Sequence, residues 1–310
     1  MSTVPARVLL SGRDGIREEY EPHLGPALEA VGAELVHEAD PASVDVIVAG
    51  ANGPVQDYSA FPNCRAVLSL WAGVEPFLAN PTLTMPLARM IDPGLTAGMV
   101  EYVTGHVLRH HLGMDAHIVN PGKVWDPTPP PLASSRRVGI LGVGELGGAC
   151  ARMLVSLGFD VTGWSRSEKD ENYPTRHGED GLRAVLERSD MLVTLLPLTP
   201  ETTGVLDAET LALMPKGAVI VNTGRGGLID DYALLAALDE GRIGHATLDV
   251  FDVEPLPENH PYWTHPRVTV TPHIASATRA ETASQAVAEN VRRIMAGEPP
   301  VGLVHRDRGY

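Results

Sequence analysis

The sequence predicts an α/β protein built from two doubly wound parallel-sheet domains. Short apolar and β-branched runs alternate with stretches of helical periodicity along the chain, which is the pattern of parallel strands joined by crossover helices. One such strand, Arg137-Val138-Gly139-Ile140-Leu141, runs into Gly142-Val143-Gly144-Glu145-Leu146-Gly147 and then a helix beginning at Ala149. That is the strand, G-x-G-x-x-G, helix order of a dinucleotide-binding turn. Finally, 310 residues suffice for two domains at roughly 100–200 residues each.

In the first block, Val8-Leu9-Leu10 is a short strand ending in Ser11-Gly12, and Tyr20 to Val31 has helical spacing and stops at Gly32. Val44 to Gly50, Ala66 to Leu70 and Pro86 to Ile91 read as buried strands closed by turn residues. A long helix is expected from Gly98 to His117, then a proline-rich loop from Asn120 to Ser135 that contains Trp125. After the glycine motif, strands are expected at Asp160–Trp164, Met191–Leu196, Gly217–Asn222, Ala246–Val250 and Val268–Val270. Helices are expected at Gly181–Arg188, Tyr232–Leu238 and Arg279–Met295.

The composition, 44% hydrophobic and 20% charged, is that of an ordinary globular protein. With 24 basic and 39 acidic residues the net charge is −15, which argues against nucleic acid or an anionic membrane as the main partner. An anionic substrate must then be held by a local cationic site. Cys64 and Cys150 lie in apolar segments outside any C-x-x-C pair, so buried, reduced thiols are expected. There is no signal-peptide pattern and no apolar run approaching the roughly 20 residues of a membrane span; a cytoplasmic protein is expected. No metal site is expected either. His110 and His111 are adjacent on a helix and do not face one another, and no other His/Cys/Asp cluster completes a ligand set in the sequence.

Within the glycine motif, Gly142 permits the tight turn, Gly144 lets the backbone approach a pyrophosphate, and Gly147 allows close helix–strand packing. The helix N-terminus faces the phosphates. The next strand should end in Asp or Glu if the cofactor is NAD, but it ends Trp164-Ser165-Arg166. A guanidinium holds a 2′-phosphate by bidentate, charge-assisted bonds, so NADP(H) is expected in preference to NAD(H). The alternative is a solvated surface arginine.

Three further residues follow strands, where open α/β sheets bind ligands: Arg225, Glu254 and His273. Together they suit reduction of a 2-keto acid. The arginine clamps a carboxylate and polarises the adjacent carbonyl. The histidine protonates the developing alkoxide, and the glutamate orients it and favours its charged form.

On these motifs, with Leu195-Leu196-Pro197-Leu198-Thr199-Pro200-Glu201-Thr202, Asn222–Gly227, Leu248-Asp249-Val250-Phe251, Glu254-Pro255-Leu256-Pro257, Thr271-Pro272-His273 and the terminal Arg308-Gly309-Tyr310, the chain resembles the D-2-hydroxyacid dehydrogenase family. Within it, the chain is most similar to bacterial glyoxylate/hydroxypyruvate reductases of the A type. The resemblance implies a flavodoxin-like substrate-binding domain (1–100 plus 285–310), a Rossmann-type NADP domain (101–284) and a cleft between them, in a homodimer. It implies that Arg225 binds the substrate, Glu254 supports the base and His273 is the general acid/base. It also implies that the 70–74 stretch, with Trp71, Ala72 and Gly73, offers N–H groups to the substrate carboxylate. Cofactor contacts are implied at Gly142, Gly144, Glu145, Leu146, Gly147, Ser165, Arg166, Leu196, Pro197, Thr223, Gly224 and Asp249, the last on the nicotinamide side. Formate dehydrogenases of the superfamily carry Gln where Glu254 stands, so that activity is not expected. Trp71 departs from the pattern, which has a smaller residue there, and narrows the pocket. Trp125 is implied to reach a partner subunit's active site; plain loop packing is its other reading. The expected reaction is NADPH-dependent reduction of glyoxylate or hydroxypyruvate. A reductase of larger 2-keto acids such as phenylpyruvate and a non-catalytic dinucleotide sensor are the alternatives.

Overall fold

A computed structural model describes residues 4–309, so Tyr310 of the terminal motif lies outside the described residues. The chain divides into two compact units. One runs to Leu95 and resumes at Ala277; the other is Thr96–Ser276. The sequence had suggested divisions at 100/101 and 284/285.

In the first unit the strands are β1 (Ala6–Ser11), β2 (Ala33–Val36), β3 (Val46–Ala49), β4 (Ala66–Ser69) and β5 (Leu87–Ala88). They form one parallel sheet in the order β2-β1-β3-β4-β5, a doubly wound order with its switch point between β1 and β3. Every residue of β3 and β4 is buried, which is why these strands read as continuous apolar runs rather than as alternation. Helix α1 (Ile16–Glu29) starts at Gly15, whose φ of 80° is left-handed; α2 (Glu75–Leu78) is a single turn.

Helix α3 (Pro93–His111) carries the first passage between units, and α4 (Asp115–Ile118) follows it. The expected helix therefore starts earlier than Gly98 and breaks at Gly113, whose φ is 63°. A C-terminal glycine in this conformation ends a helix without a Cβ penalty.

The second unit contains β6 (Arg137–Leu141), α5 (Glu145–Ser156), β7 (Asp160–Ser165), β8 (Thr175–His177), α6 (Gly178–Arg188), β9 (Met191–Thr194), α7 (Ala208–Leu213), β10 (Ala218–Asn222), α8 (Asp231–Asp239), β11 (Ile243–Leu248) and β12 (Val268–Val270). Its sheet is parallel throughout, in the order β12-β11-β10-β9-β6-β7-β8. The switch point lies between β6 and β9, so the loops after these two strands part to opposite faces and leave a crevice at their C-terminal ends. Arg137 clamps that junction, because its guanidinium donates to both carboxylate oxygens of Asp190 at 2.6 and 3.1 Å.

Helix α9 (Ala280–Met295) returns to the first unit. Its Ala283, Val287, Val291 and Ile294 join the core with Val8, Leu24, Leu28 and Leu68. At roughly 1.5–3 kcal/mol for each fully buried aliphatic side chain, this face makes the C-terminal helix an integral part of that unit.

Candidate active site

The glycine turn has the expected form. Gly142 has φ 99°, and a Cβ there would lie 2.7 Å from the Leu195 carbonyl oxygen. A Cβ on Gly147 would lie 1.9 Å from the Gly142 carbonyl oxygen, so the helix can approach the turn this closely only with glycine. Gly144 differs, since nothing lies within 4 Å of the place its Cβ would take. That open space lies at the start of α5, where the Gly148 N–H reaches the Gly144 carbonyl at 2.8 Å. The preceding N–H groups, of Glu145, Leu146 and Gly147, have no helical carbonyl to bond. These residues fit a dinucleotide pyrophosphate: a clear approach, unpaired helix-start donors and a favourable dipole.

Leu195 and Leu196 after β9 close the turn from one side, and Gly224 after β10 lies against Leu196, where a Cβ would come within 3.0 Å of its carbonyl oxygen. Thr223 is buried beside it, and its N–H donates to the Thr194 carbonyl. Ser165 ends β7, but its hydroxyl donates to the Ser167 carbonyl at 2.6 Å. Ser165 therefore shapes the turn that presents Arg166. Neighbouring β8 sets His177 beside Ser165 and Arg176 beside Trp164, so a further cationic side chain, that of Arg176, borders this edge.

Strands β10, β11 and β12 are neighbours and parallel, so the segments after their C-terminal ends share one edge. Those segments carry Arg225, Glu254 and His273. Buried Asn222 builds the arginine turn: its Oδ1 accepts the Gly224 N–H and the Thr194 hydroxyl, and its amide donates to the Arg225 carbonyl at 3.0 Å. Gly226 then lies flat on the next loop, since a Cβ would sit 2.1 Å from the Phe251 carbonyl carbon. The Arg225 and Glu254 loops are thus packed together through a glycine.

His273 has φ 54°, a left-handed conformation uncommon for a residue with a Cβ. Its N–H donates to the carbonyls of Asp249 and Thr271. The Asp249 side chain, 1% exposed, accepts the N–H groups of Ile274 and Ala275 at 2.9 Å each and the Thr271 hydroxyl at 2.7 Å. Tyr102 of α3 completes the chain, with its hydroxyl 2.5 Å from that of Thr271. Because Thr271 gives its one proton to Asp249, Tyr102 is the donor to Thr271. Burial pushes the Tyr102 phenol up to about 12, so it stays a donor. Asp249 had been expected to face the nicotinamide; what the structure places around its carboxylate is the turn carrying His273.

The His273 imidazole Nδ1 lies 2.7 Å from Glu254 Oε2, while Glu254 Oε1 accepts the Phe251 N–H at 2.9 Å. Both carboxylate oxygens are engaged, so the glutamate is fixed before it orients the ring. A proton shared on the Nδ1 side leaves Nε2 for exchange with a ligand.

In the first unit, the Leu70 N–H goes to the Ala49 carbonyl and the Trp71 N–H to Ser69 Oγ at 2.9 Å. Of the expected anion-binding stretch, the N–H groups of Ala72 to Val74 are the ones outside these bonds. The Trp71 ring passes over Gly50, where a Cβ would lie 3.6 Å from its Cζ2.

The chain is similar to known proteins over most of its length. Residues 106–275 match the family model for the D-isomer specific 2-hydroxyacid dehydrogenase, NAD binding domain. A glyoxylate/hydroxypyruvate reductase A of Yersinia enterocolitica is 40% identical over 255 residues, 79% of this chain and 82% of that protein. The chain belongs to the D-isomer specific 2-hydroxyacid dehydrogenase family. It is accordingly an oxidoreductase. Among solved structures, a D-isomer specific 2-hydroxyacid dehydrogenase from Xanthobacter autotrophicus Py2, in complex with NADPH and MES, superposes with a TM-score of 0.92 at 38% identity, over 99% of this chain and 100% of that one. An NADPH-dependent glyoxylate/hydroxypyruvate reductase from Sinorhizobium meliloti, in complex with NADP and sulfate, gives 0.88 at 34% identity over 98% and 100%.

Several residues escaped the sequence reading. Tyr102 lies 169 positions before Thr271, and no local pattern joins them. Asn222 was legible only as part of a motif. The expectation of no histidine cluster needs correction: His110, Asp115 and His245 present ligand-type atoms within 4.8 Å of one another. His245 comes from β11, a separation that helix spacing could not reveal. The thiols are unpaired, and burial pushes Cys64 up to about 11 and Cys150 to about 12. Among the described residues, no helix is long and apolar enough to cross a membrane.

Proposed function

We propose that the protein reduces small 2-keto acids, glyoxylate and hydroxypyruvate foremost, to 2-hydroxy acids with NADPH. The observation that carries this reading is the 2.7 Å bond between His273 and Glu254 on the sheet edge that also carries Arg225. Glu254 holds the imidazole by Nδ1, which leaves Nε2 to deliver a proton to the substrate oxygen. Arg225 pairs with the substrate carboxylate and draws charge toward the carbonyl oxygen. The bound dinucleotide supplies the hydride. Gly144 and the first N–H groups of α5 receive its pyrophosphate, Leu196, Pro197, Thr223 and Gly224 border it, and Arg166 takes the 2′-phosphate. The bound NADPH and NADP named for the two relatives support that choice of cofactor.

Small substrates are favoured over larger ones such as phenylpyruvate because a bulky indole, Trp71, stands within the expected anion-binding stretch. A dinucleotide sensor has no use for an oriented proton donor, and the Glu254–His273 pair disfavours it. Trp125 and Val124 are 92% and 66% exposed on one loop, an apolar surface suited to a second copy of the chain, and a homodimer is the proposed assembly. Reduced, high-pKa thiols suit a cytoplasmic location.

The test is loss of NADPH absorbance across a panel of 2-keto acids. Turnover fastest with glyoxylate or hydroxypyruvate is expected. Tight NADPH binding with no keto acid reduced would hand the protein to the sensor reading.

A further inference from the structure

We propose that His110, Asp115 and His245 form a binding site for one divalent transition cation of the zinc type, on residues other than the catalytic pair. The residues come from the last turn of α3, the first position of α4 and strand β11, all in the second unit. Their ligand-type atoms lie within 4.8 Å of one another and all three residues are half-buried. Two imidazoles and one carboxylate, with a water in the fourth position, form a donor set for zinc and its borderline neighbours. Ligands on tetrahedral zinc, with bonds of about 2.0–2.1 Å, stand roughly 3.4 Å apart. No pair here therefore needs to close by more than roughly 1.4 Å, within the reach of rotation about side-chain bonds.

Each ring has a threonine hydroxyl as partner. His110 Nε2 lies 2.9 Å from Thr247 Oγ1, and His245 Nε2 lies 2.9 Å from Thr269 Oγ1. Each hydroxyl can accept the Nε2–H and so leave the lone pair on Nδ1, the outer-shell arrangement that fixes a metal-binding tautomer. The competitor is Arg109, whose Nε donates to Asp115 Oδ1 at 2.6 Å. Oδ2 remains for the cation. A bound ion ties α4 to the sheet at the root of the exposed apolar segment that carries Ile118, Val119, Val124 and Trp125.

The experiment uses the full-length protein, stripped with a chelator and titrated with Zn(II) against a chromogenic chelator. One equivalent is expected in the wild type and in His273→Ala, and none in His110→Ala/His245→Ala. Asp115→Asn, which preserves shape, should weaken binding about tenfold, and Arg109→Gln, which frees the carboxylate, should tighten it about tenfold, the scale of partner effects on metal ligands. Near-UV circular dichroism checks that each variant is folded. Equal binding by the wild type and the double variant overturns the proposal, as does loss of the equivalent in His273→Ala. An unchanged affinity in Arg109→Gln overturns the assignment of Asp115 as a ligand.

Discussion

Asp249 pins the turn that carries His273. Its main-chain carbonyl accepts the His273 N–H at 2.9 Å, and its carboxylate accepts the next two N–H groups, of Ile274 and Ala275. A histidine at φ 54° persists only where its surroundings over-determine it. Asp249→Asn replaces a double acceptor by a group that turns N–H toward N–H. The expected loss is about 1–3 kcal/mol of stability, read by urea denaturation, with kcat falling more than KM for the keto acid changes. Full stability in this variant would mean that the turn is held by other contacts.

His273→Ala should lower kcat at least a hundredfold, within the roughly 10²–10⁴ range of general acid catalysis, and leave NADPH affinity unchanged. Glu254→Gln keeps a hydrogen-bond acceptor for Nδ1 but removes one of the two carboxylate oxygens that tie the ring to the Phe251 N–H. Its kcat should fall less than that of His273→Ala, with NADPH affinity unchanged. Near-wild-type turnover in His273→Ala would sink the assignment of the proton donor.

The two glycines flanking α5's first turn should behave oppositely. Gly144→Ala places its methyl in open space, so stability should stay within about 0.5 kcal/mol while NADPH binding weakens. Gly147→Ala drives a Cβ into the Gly142 carbonyl and should destabilise the fold itself by about 1–3 kcal/mol. Calorimetric melting and fluorescence titration of NADPH separate the two effects. Equal NADPH affinity in Gly144→Ala and the wild type would place the pyrophosphate elsewhere.

Arg166→Ala should shrink the ratio of kcat/KM for NADPH over NADH, through loss of NADPH affinity rather than gain with NADH. An unchanged ratio would transfer 2′-phosphate recognition to another cation on this edge, with Arg176 of β8 the next to replace.

The Arg137–Asp190 clamp sets an acid limit. Burial alone would raise the Asp190 carboxyl, but hydrogen bonds from the Arg137 side chain and N–H, with its charge, outweigh burial and hold it below the usual range. The unfolded chain then binds more protons in the window between the two pKa values, so the clamp's stability is present above the ordinary carboxylate pKa of about 3.9 and is lost as pH falls below it. Asp190→Asn should be less stable than the wild type at pH 7, with the difference shrinking toward pH 3. A difference independent of pH would show that the pair contributes through packing alone.

What the sequence by itself determined was everything encoded locally or by fixed spacing. The buried strands β3, β4, β9 and β10 are unbroken apolar runs because parallel strands are covered on both faces, and the glycine turn announces itself because only glycine fits its geometry. Arg225, Glu254 and His273 were legible because each follows a strand, which is where open sheets present their ligands. Two of the edge strands were not: β2 has four residues with only Ala33 buried, and β8 is Thr-Arg-His with none, too short and too polar to stand out. The six-residue α7 escaped for a similar reason, as its single buried residue, Leu211, makes no periodic face. Tertiary structure alone decided what Asp249 holds, that Tyr102 reaches Thr271, that Ser165 serves its own turn, and that His245 meets His110 and Asp115. The Ser165 bond is local, from side chain to backbone two residues on; the others join separate elements, and such contacts exist only once the sheet order and the packing of α3 upon it bring distant residues within hydrogen-bond reach.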